Sequence, residues 1–337
     1  MTTTKPNLTA PIFLLGCHKS GSSLLRSLLD NHPQLFAIPM EIHYFQYTGQ
    51  WVDYRLRRSW PKPMNQQEKM ASLYQLVEET NANEDPYADS ILAGSLDVDR
   101  FRSFMVANQG DSPDNLTTPR ELFEIYVGAL YYALTGAALP PGMRIVEKSV
   151  EHAEWAVHLR QMFPDCRFVH IVRNPYASMV AIRKSKTVGN IYPLLRNFIL
   201  SLQNSYYNLY RNEGILDNYL IVKYEDLLTD TEKIMRTISD FVGIEFTEDL
   251  LTPTLMGKPW GGNSSTGKSF TKISTAPLSS WKSQVEDLEV RLVNTFLEPV
   301  LERFGYEMVT PQKSKYYLIK GESWKNYAKN RSLFWLY

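Results

Sequence analysis

The chain has 337 residues, with 36 Lys+Arg against 36 Asp+Glu and a formal net charge of zero. With 44% hydrophobic and 21% charged residues, the composition is that of a globular protein and excludes a largely disordered or fibrous chain. The balanced charge excludes a global basic field of the kind that binds nucleic acid, so any anion site must be local.

Two cysteines, Cys17 and Cys166, are too few for a disulfide framework and point to a reducing compartment. The apolar run Ile12 to Leu15 is too short for a signal-peptide core or a membrane span, and no other stretch is long enough to cross a bilayer. These features imply a soluble, cytoplasmic protein.

In chain order, Pro11 to Leu15 reads as a short buried strand. It runs through a polar loop into a helix over Ser22 to Leu29 that stops before Pro33. Residues 47–117 and 252–280 carry less pattern and read as loops and short helices over one sheet edge. Thr118-Pro119-Arg120-Glu121 combines a capping box with proline at the first helical position, opening a helix that runs to Gly136. Short apolar runs at Arg144–Val146, Arg167–Val172 and Tyr219–Val222 read as interior parallel strands separated by helices. Asn174-Pro175 opens a further helix. Thr229 with Glu232, and Ser283 with Glu286, read as capping boxes for two more, the first ending near Gly243. The expected architecture is one α/β domain over 1–312, a central parallel sheet flanked by helices, with a basic and aromatic tail over 313–337.

The most informative residues are Gly16-Cys17-His18-Lys19-Ser20-Gly21-Ser22-Ser23. Strand, glycine-bearing loop and helix in that order aim successive backbone N–H groups at an anion. The spacing Gly16-x4-Gly21 is that of a nucleoside triphosphate loop, but Ser22 stands where that loop needs its lysine. The lysine lies inside the loop, at Lys19. Glu225-Asp226 follows a later strand only after Tyr224, so no clear magnesium-binding aspartate is present. The loop reads as built for a nucleotide handled without metal.

Lys19-Ser20-Gly21-Ser22-Ser23 resembles the 5′-phosphosulfate loop of sulfotransferases that use 3′-phosphoadenosine 5′-phosphosulfate (PAPS). Four further segments resemble that family in order, together spanning about residues 11–305. Met40-Glu41-Ile42-His43-Tyr44-Phe45 is similar to a stretch whose glutamate is the general base, which implies that role for Glu41. Met40 replaces the family lysine, and His43 is the rival base. Val146-Glu147-Lys148-Ser149 resembles the turn whose lysine sits near the sulfonate, implying Lys148. Phe168 to Pro175 resembles the 3′-phosphate segment, implying Arg173. The family serine eight residues on is Ala181, and Ser178, one turn nearer the loop, is the candidate substitute. Val222-Lys223-Tyr224-Glu225-Asp226-Leu227 resembles the segment whose tyrosine lies beside adenine, implying Tyr224. Gly257 to Lys268 corresponds loosely to a loop over the 3′ side, with Lys258, Asn263 and Ser264 as candidates.

The resemblance implies a P-loop-containing fold and sulfonate transfer from PAPS, leaving PAP, without metal. Lys19, Glu41 and Lys148 are the implied catalytic residues. Lys19, Ser20, Gly21, Ser22, Ser23, Arg173, Ser178 and Tyr224 are the implied nucleotide-binding residues. The acceptor is a hydroxyl of a carbohydrate, lipid or small metabolite. The aromatic stretch Tyr44 to Trp60, with Arg55, Arg57 and Arg58, fits either acceptor stacking or ordinary core packing. The rival functions are a P-loop kinase or nucleotide hydrolase, and a non-catalytic PAP-binding protein of the same fold.

Overall fold

The apolar run after Pro11 is the central strand of the molecule. β1 (Ile12–Gly16) is buried at every position, as a strand covered on both faces must be. This computed structural model describes residues 5–53, 58–82, 92–108, 118–187, 193–262, 273–314 and 316–335. From β1 the chain runs through α1 (Ser22–Leu29), β2 (Leu35–Ala37), the short α2 (Tyr44–Tyr47) and a hairpin of β3 (Gln50–Asp53) and β4 (Arg58–Pro61). The helices α3 (Gln66–Asn81), α4 (Val98–Ala107) and α5 (Pro119–Thr135) follow. Next come β5 (Arg144–Glu147), a 3-10 turn at Val150–Ala153, α6 (Ala156–Met162) and β6 (Arg167–Val172). Then come α7 (Pro175–Lys186), α8 (Leu195–Ile215) and β7 (Tyr219–Lys223). The chain continues through α9 (Tyr224–Thr229), α10 (Thr231–Val242), the two-residue strands β8 (Thr254–Leu255) and β9 (Lys258–Pro259), α11 (Asp287–Phe304) and α12 (Trp324–Arg331).

Five strands form one parallel sheet in the order β2-β5-β1-β6-β7. Alternation along β1 sends Ile12 and Leu14 into a core with Leu25 and Leu28 of α1 and Met235 and Ile238 of α10. Phe13 and Leu15 face the other way, against Phe123, Tyr126 and Phe163. These are the three layers expected of alternating strands and helices. Because the strands are parallel, Gly16, Ala37, Glu147 and Val172 all end at one edge of the sheet. The chain leaves β1 for one side and returns to β6 on the other, so this edge is a topological switch point, where ligands of open α/β sheets bind.

Several ends follow the local chemistry closely. Thr118 and Glu121 form the capping box of α5, and Gly136 closes it in the left-handed conformation. The Asn174 side chain accepts from the N–H groups of Tyr176 and Ala177 at the start of α7. Two caps lie elsewhere than expected. Asp230, not Thr229, caps α10 by accepting from Lys233 N, while Thr229 Oγ1 donates back to the Glu225 carbonyl in α9. α11 starts at Glu286, whose box partner is Glu289, and Ser283 Oγ donates instead to the Ser280 carbonyl. The weakly patterned region 47–117 also holds a full 16-residue helix, α3, capped by Asn65 and Glu68. The C-terminal segment packs on the body: Ile319 and Leu333 are buried with Leu195, Leu202 and Leu292.

Candidate active site

Two glycines shape the loop after β1. A Cβ on Gly16 would lie 2.5 Å from Ser20 Oγ, and one on Gly21 would lie 2.2 Å from the Tyr224 ring. Gly21 has φ 101° and Lys19 has φ 62°, both in the left-handed region. Ser20 N donates to the Cys17 carbonyl at 3.2 Å, and Leu25 N donates to the Gly21 carbonyl at 3.1 Å. The loop is thereby closed into a turn that delivers the chain to α1. First-turn amides of a helix have no acceptor within it, so those of α1 are donors for an anion held by the loop.

β6 brings a guanidinium to the same place. Arg173 Nη1 donates to the Lys19 carbonyl at 2.8 Å, and its Cζ lies 4.7 Å from the Tyr224 ring centroid. Tyr224 is therefore held between Gly21 and Arg173. Burial raises its hydroxyl pKa, with the Arg173 charge pulling the other way. Ser178, in the first turn of α7, is fully buried. Ser20 Oγ, Ser178 Oγ and Arg173 Nε are buried polar atoms without a hydrogen-bond partner. Orphaned donors of this kind, on and beside the loop, suit a phosphate-bearing ligand.

The opposite wall is built from the segments that follow β2 and β5. Lys148 is buried, and its Nζ pairs with Glu41 Oε1. Val150 N donates to Glu41 Oε2 at 3.4 Å. Burial pushes the Glu41 carboxyl up, but Lys148 and His43 outweigh it and hold the group below the usual carboxylate range. His43, in a left-handed conformation with φ 44°, places Nδ1 2.7 Å from Glu151 Oε1. Its backbone N–H donates to Ser149 Oγ at 3.2 Å. Ser149 Oγ donates to Glu147 Oε1, and His152 Nδ1 contacts Glu147 Oε2, both at 2.5 Å. At Glu151 burial again opposes ionisation, and the charge and hydrogen bond of His43, with the charge of His152, hold the carboxyl down at about 2.

The two walls share one electrostatic neighbourhood. The pKa of Lys19 is lowered first by burial, then by repulsion from Lys186 and Lys148, with Glu41 acting to raise it and Arg173 to lower it. Three cations thus act on Lys19 against the single opposing charge of Glu41, a balance that favours an anionic ligand. Glu41, His43 and Glu151 also bring ligand atoms within 4.8 Å of one another, a spacing that suits a metal ion. The same three side chains are tied into ion pairs and hydrogen bonds, Glu41 with Lys148 and His43 with Glu151.

Lys19, Ser20, Gly21, Ser22, Ser23, Arg173 and Tyr224 come together around the loop, and Glu41 and Lys148 come together as a pair beside it. Lys258 is exposed on β9, and the preceding Gly257 N donates to Asp30 Oδ2 at 2.9 Å. Asp30 caps the far end of α1, about 12 Å from the loop. Asn263 and Ser264 lie outside the described residues. Met40, at the family lysine position, is a core residue. Tyr44 and Phe45 are buried in the same core, with Phe45 stacked on Trp155 at 5.2 Å, so both pack rather than present a face to an acceptor. Glu151 and Lys186 were not singled out by sequence. Glu151 follows Glu147 on the turn after a strand, where site residues collect, and that was its one signal.

The family model described as "Sulfotransferase family" matches residues 11–248, well over half of the chain. The chain belongs to the sulfotransferase family. This bears out the resemblance seen in its motifs, and with it the enzyme class, a PAPS-dependent sulfotransferase. It is 22% identical over 312 residues to protein-tyrosine sulfotransferase 2 of Gallus gallus, covering 88% of this chain and 69% of that protein. It is 25% identical over 208 residues to omega-hydroxy-beta-dihydromenaquinone-9 sulfotransferase Stf3 of Mycobacterium bovis, covering 58% of this chain and 50% of that one. The sulfotransferase domain of the Synechococcus PCC 7002 olefin synthase superposes with a TM-score of 0.54 at 20% identity, over 92% of this chain and all of that domain. That likeness concerns the P-loop-containing α/β fold.

Proposed function

We propose that this enzyme moves the sulfonate group of PAPS to a hydroxyl of a carbohydrate, lipid or small metabolite, with Glu41 as general base. One observation carries the proposal: Lys19 of the phosphate loop and the Glu41–Lys148 pair share an electrostatic neighbourhood at the carboxyl edge of the sheet. Bound PAPS would supply the sulfonate and leave as PAP. Lys19, with the amides of Ser20 to Ser23, would hold the 5′-phosphosulfate and offset charge on the bridging oxygen. Arg173 and Ser178 would hold the 3′-phosphate, and Tyr224 would lie beside the adenine.

The charges of Lys148 and His43 offset the burial of Glu41 and keep its carboxyl ionised at neutral pH. It can therefore take the proton of the acceptor hydroxyl. Lys148 is the cation that leaves Glu41 for the sulfonate oxygens as that proton arrives. His43, whose Nδ1 lies 2.7 Å from Glu151 Oε1, is the rival base. With Lys19, Lys148 and Arg173 supplying positive charge, the transfer needs orientation more than a Lewis acid, so we write it as metal-independent. A cytoplasmic location fits two buried thiols, Cys17 and Cys166.

Calorimetry with PAP and with ATP, each with magnesium or with EDTA, tests the nucleotide reading. PAP should bind equally well in EDTA, and a preference for magnesium-ATP would favour a kinase or hydrolase. Labelled PAPS offered to acceptor pools then tests transfer. PAP binding without transfer to any pool would favour the non-catalytic reading.

A further inference from the structure

The C-terminal segment takes no part in the proposed reaction, yet its surface has a distinct chemistry. Residues 313–335 hold five lysines, one arginine and one carboxylate, Glu322. Glu322 and Arg331 are both buried and paired at 2.8 Å, with Asn330 Nδ2 donating to the same oxygen at 2.8 Å. This interior pair withdraws the segment's sole carboxylate and sole guanidinium from the surface. Lys313, Lys320, Lys325 and Lys329 remain exposed.

Large apolar side chains stand among those lysines. Trp324 is 75% exposed, Tyr316 55% and Leu318 52%. Trp324 and Tyr316 are joined through Tyr327: the Trp324 ring lies 5.5 Å from that of Tyr327, and Tyr327 Oη donates to the Tyr316 carbonyl at 2.6 Å. Ile319 and Leu333 anchor the segment from beneath, so the patch is the outer face of a docked element. In a chain of zero net charge, its positive charge is a local excess.

We propose that this face docks on the anionic surface of a lipid bilayer. Trp and Tyr favour the headgroup region, where one end of the ring is apolar and the other wet. Lysines lay their stems along such a surface and keep their ammonium groups among the phosphates. Among the described residues no helix is long and apolar enough to cross a membrane, so the contact is peripheral. A nucleic-acid surface would call on arginine forks, and the arginine here is buried.

The test is co-sedimentation of the full chain with phosphatidylcholine vesicles and with vesicles rich in phosphatidylglycerol, at low and high salt. The protein should pellet with the anionic vesicles at low salt and be released by high salt. Lys320→Gln and Lys325→Gln should each weaken partitioning about fivefold, and Trp324→Ala should weaken it further. All three side chains are exposed, so PAP binding by calorimetry serves as the check that the variants are folded. Equal binding to neutral vesicles, no binding, displacement by a single-stranded oligonucleotide, or indifference to the substitutions would each overturn the proposal. None of these outcomes bears on sulfonate transfer.

Discussion

Single residues set the chemistry of the site, and they differ in how plainly the sequence declares them. Lys19, Arg173 and Tyr224 stand at strand ends inside short motifs, and the fold brings all three to the loop. Glu41 is harder, because a loop glutamate is ordinarily a solvated charge; its meaning comes from Lys148, which is 107 residues away and becomes a neighbour only through strand pairing. Glu41→Gln should lower turnover by about 10²–10⁴-fold, the usual worth of a general base, while PAP affinity measured by calorimetry stays close to that of the parent. Unchanged turnover would remove Glu41 from the role. Gly21 tests the loop itself. At φ 101° an alanine is strained by about 1–2 kcal/mol from the backbone alone, and its Cβ would meet the Tyr224 ring at 2.2 Å. Gly21→Ala should therefore lower both the melting temperature and PAP affinity. A variant with parental values for both would show that Tyr224 does not pack on the loop.

At the scale of elements, the strands were the easiest to read. A strand buried on both faces needs a short unbroken apolar run, and β1, β5 and β6 each have one; β7 has the same run but, contrary to its reading as an interior strand, lies at the sheet's edge and is mostly half-buried. Helix starts were less certain because neighbouring side chains compete for the same amides. At the α9–α10 junction both Thr229 and Asp230 can cap. The structure gives the position to Asp230, since Thr229 Oγ1 is occupied by the Glu225 carbonyl. Asp230→Ala should cost about 1 kcal/mol, read as a lower midpoint in urea. Thr229→Ala should shift it far less, and the reverse ranking would restore Thr229 as the cap. The helix α3 was readable in principle. Asn65 and Glu68 make its capping box, and Met70, Leu73, Leu76, Val77 and Thr80 are its buried stripe. Its polar residues hid that stripe because they dominate the window, although the spacing is helical.

Across the whole molecule, the segment after β2 and the turn after β5 are joined by buried charges rather than by apolar packing alone. His43 bonds Glu151, and His152 contacts Glu147. No motif announced this network, because its members are meaningful only once β2 and β5 lie side by side. It has a consequence for acid stability. The Glu151 carboxyl falls from an ordinary 4.5 to about 2 in the fold, so its ionised form is favoured by folding. Its contribution is complete above pH 4.5 and disappears as the pH falls toward 2. The amount is on the order of 3 kcal/mol and belongs to the coupled group in which His43 and His152 face the Glu151 carboxylate. Urea midpoints measured from neutral pH downward should fall steeply across that interval in the parent protein. Glu151→Gln should be less stable at neutral pH and lose less over the same interval, because it has no proton to gain. Two curves falling in parallel would mean that the acid sensitivity of the fold resides in other carboxylates.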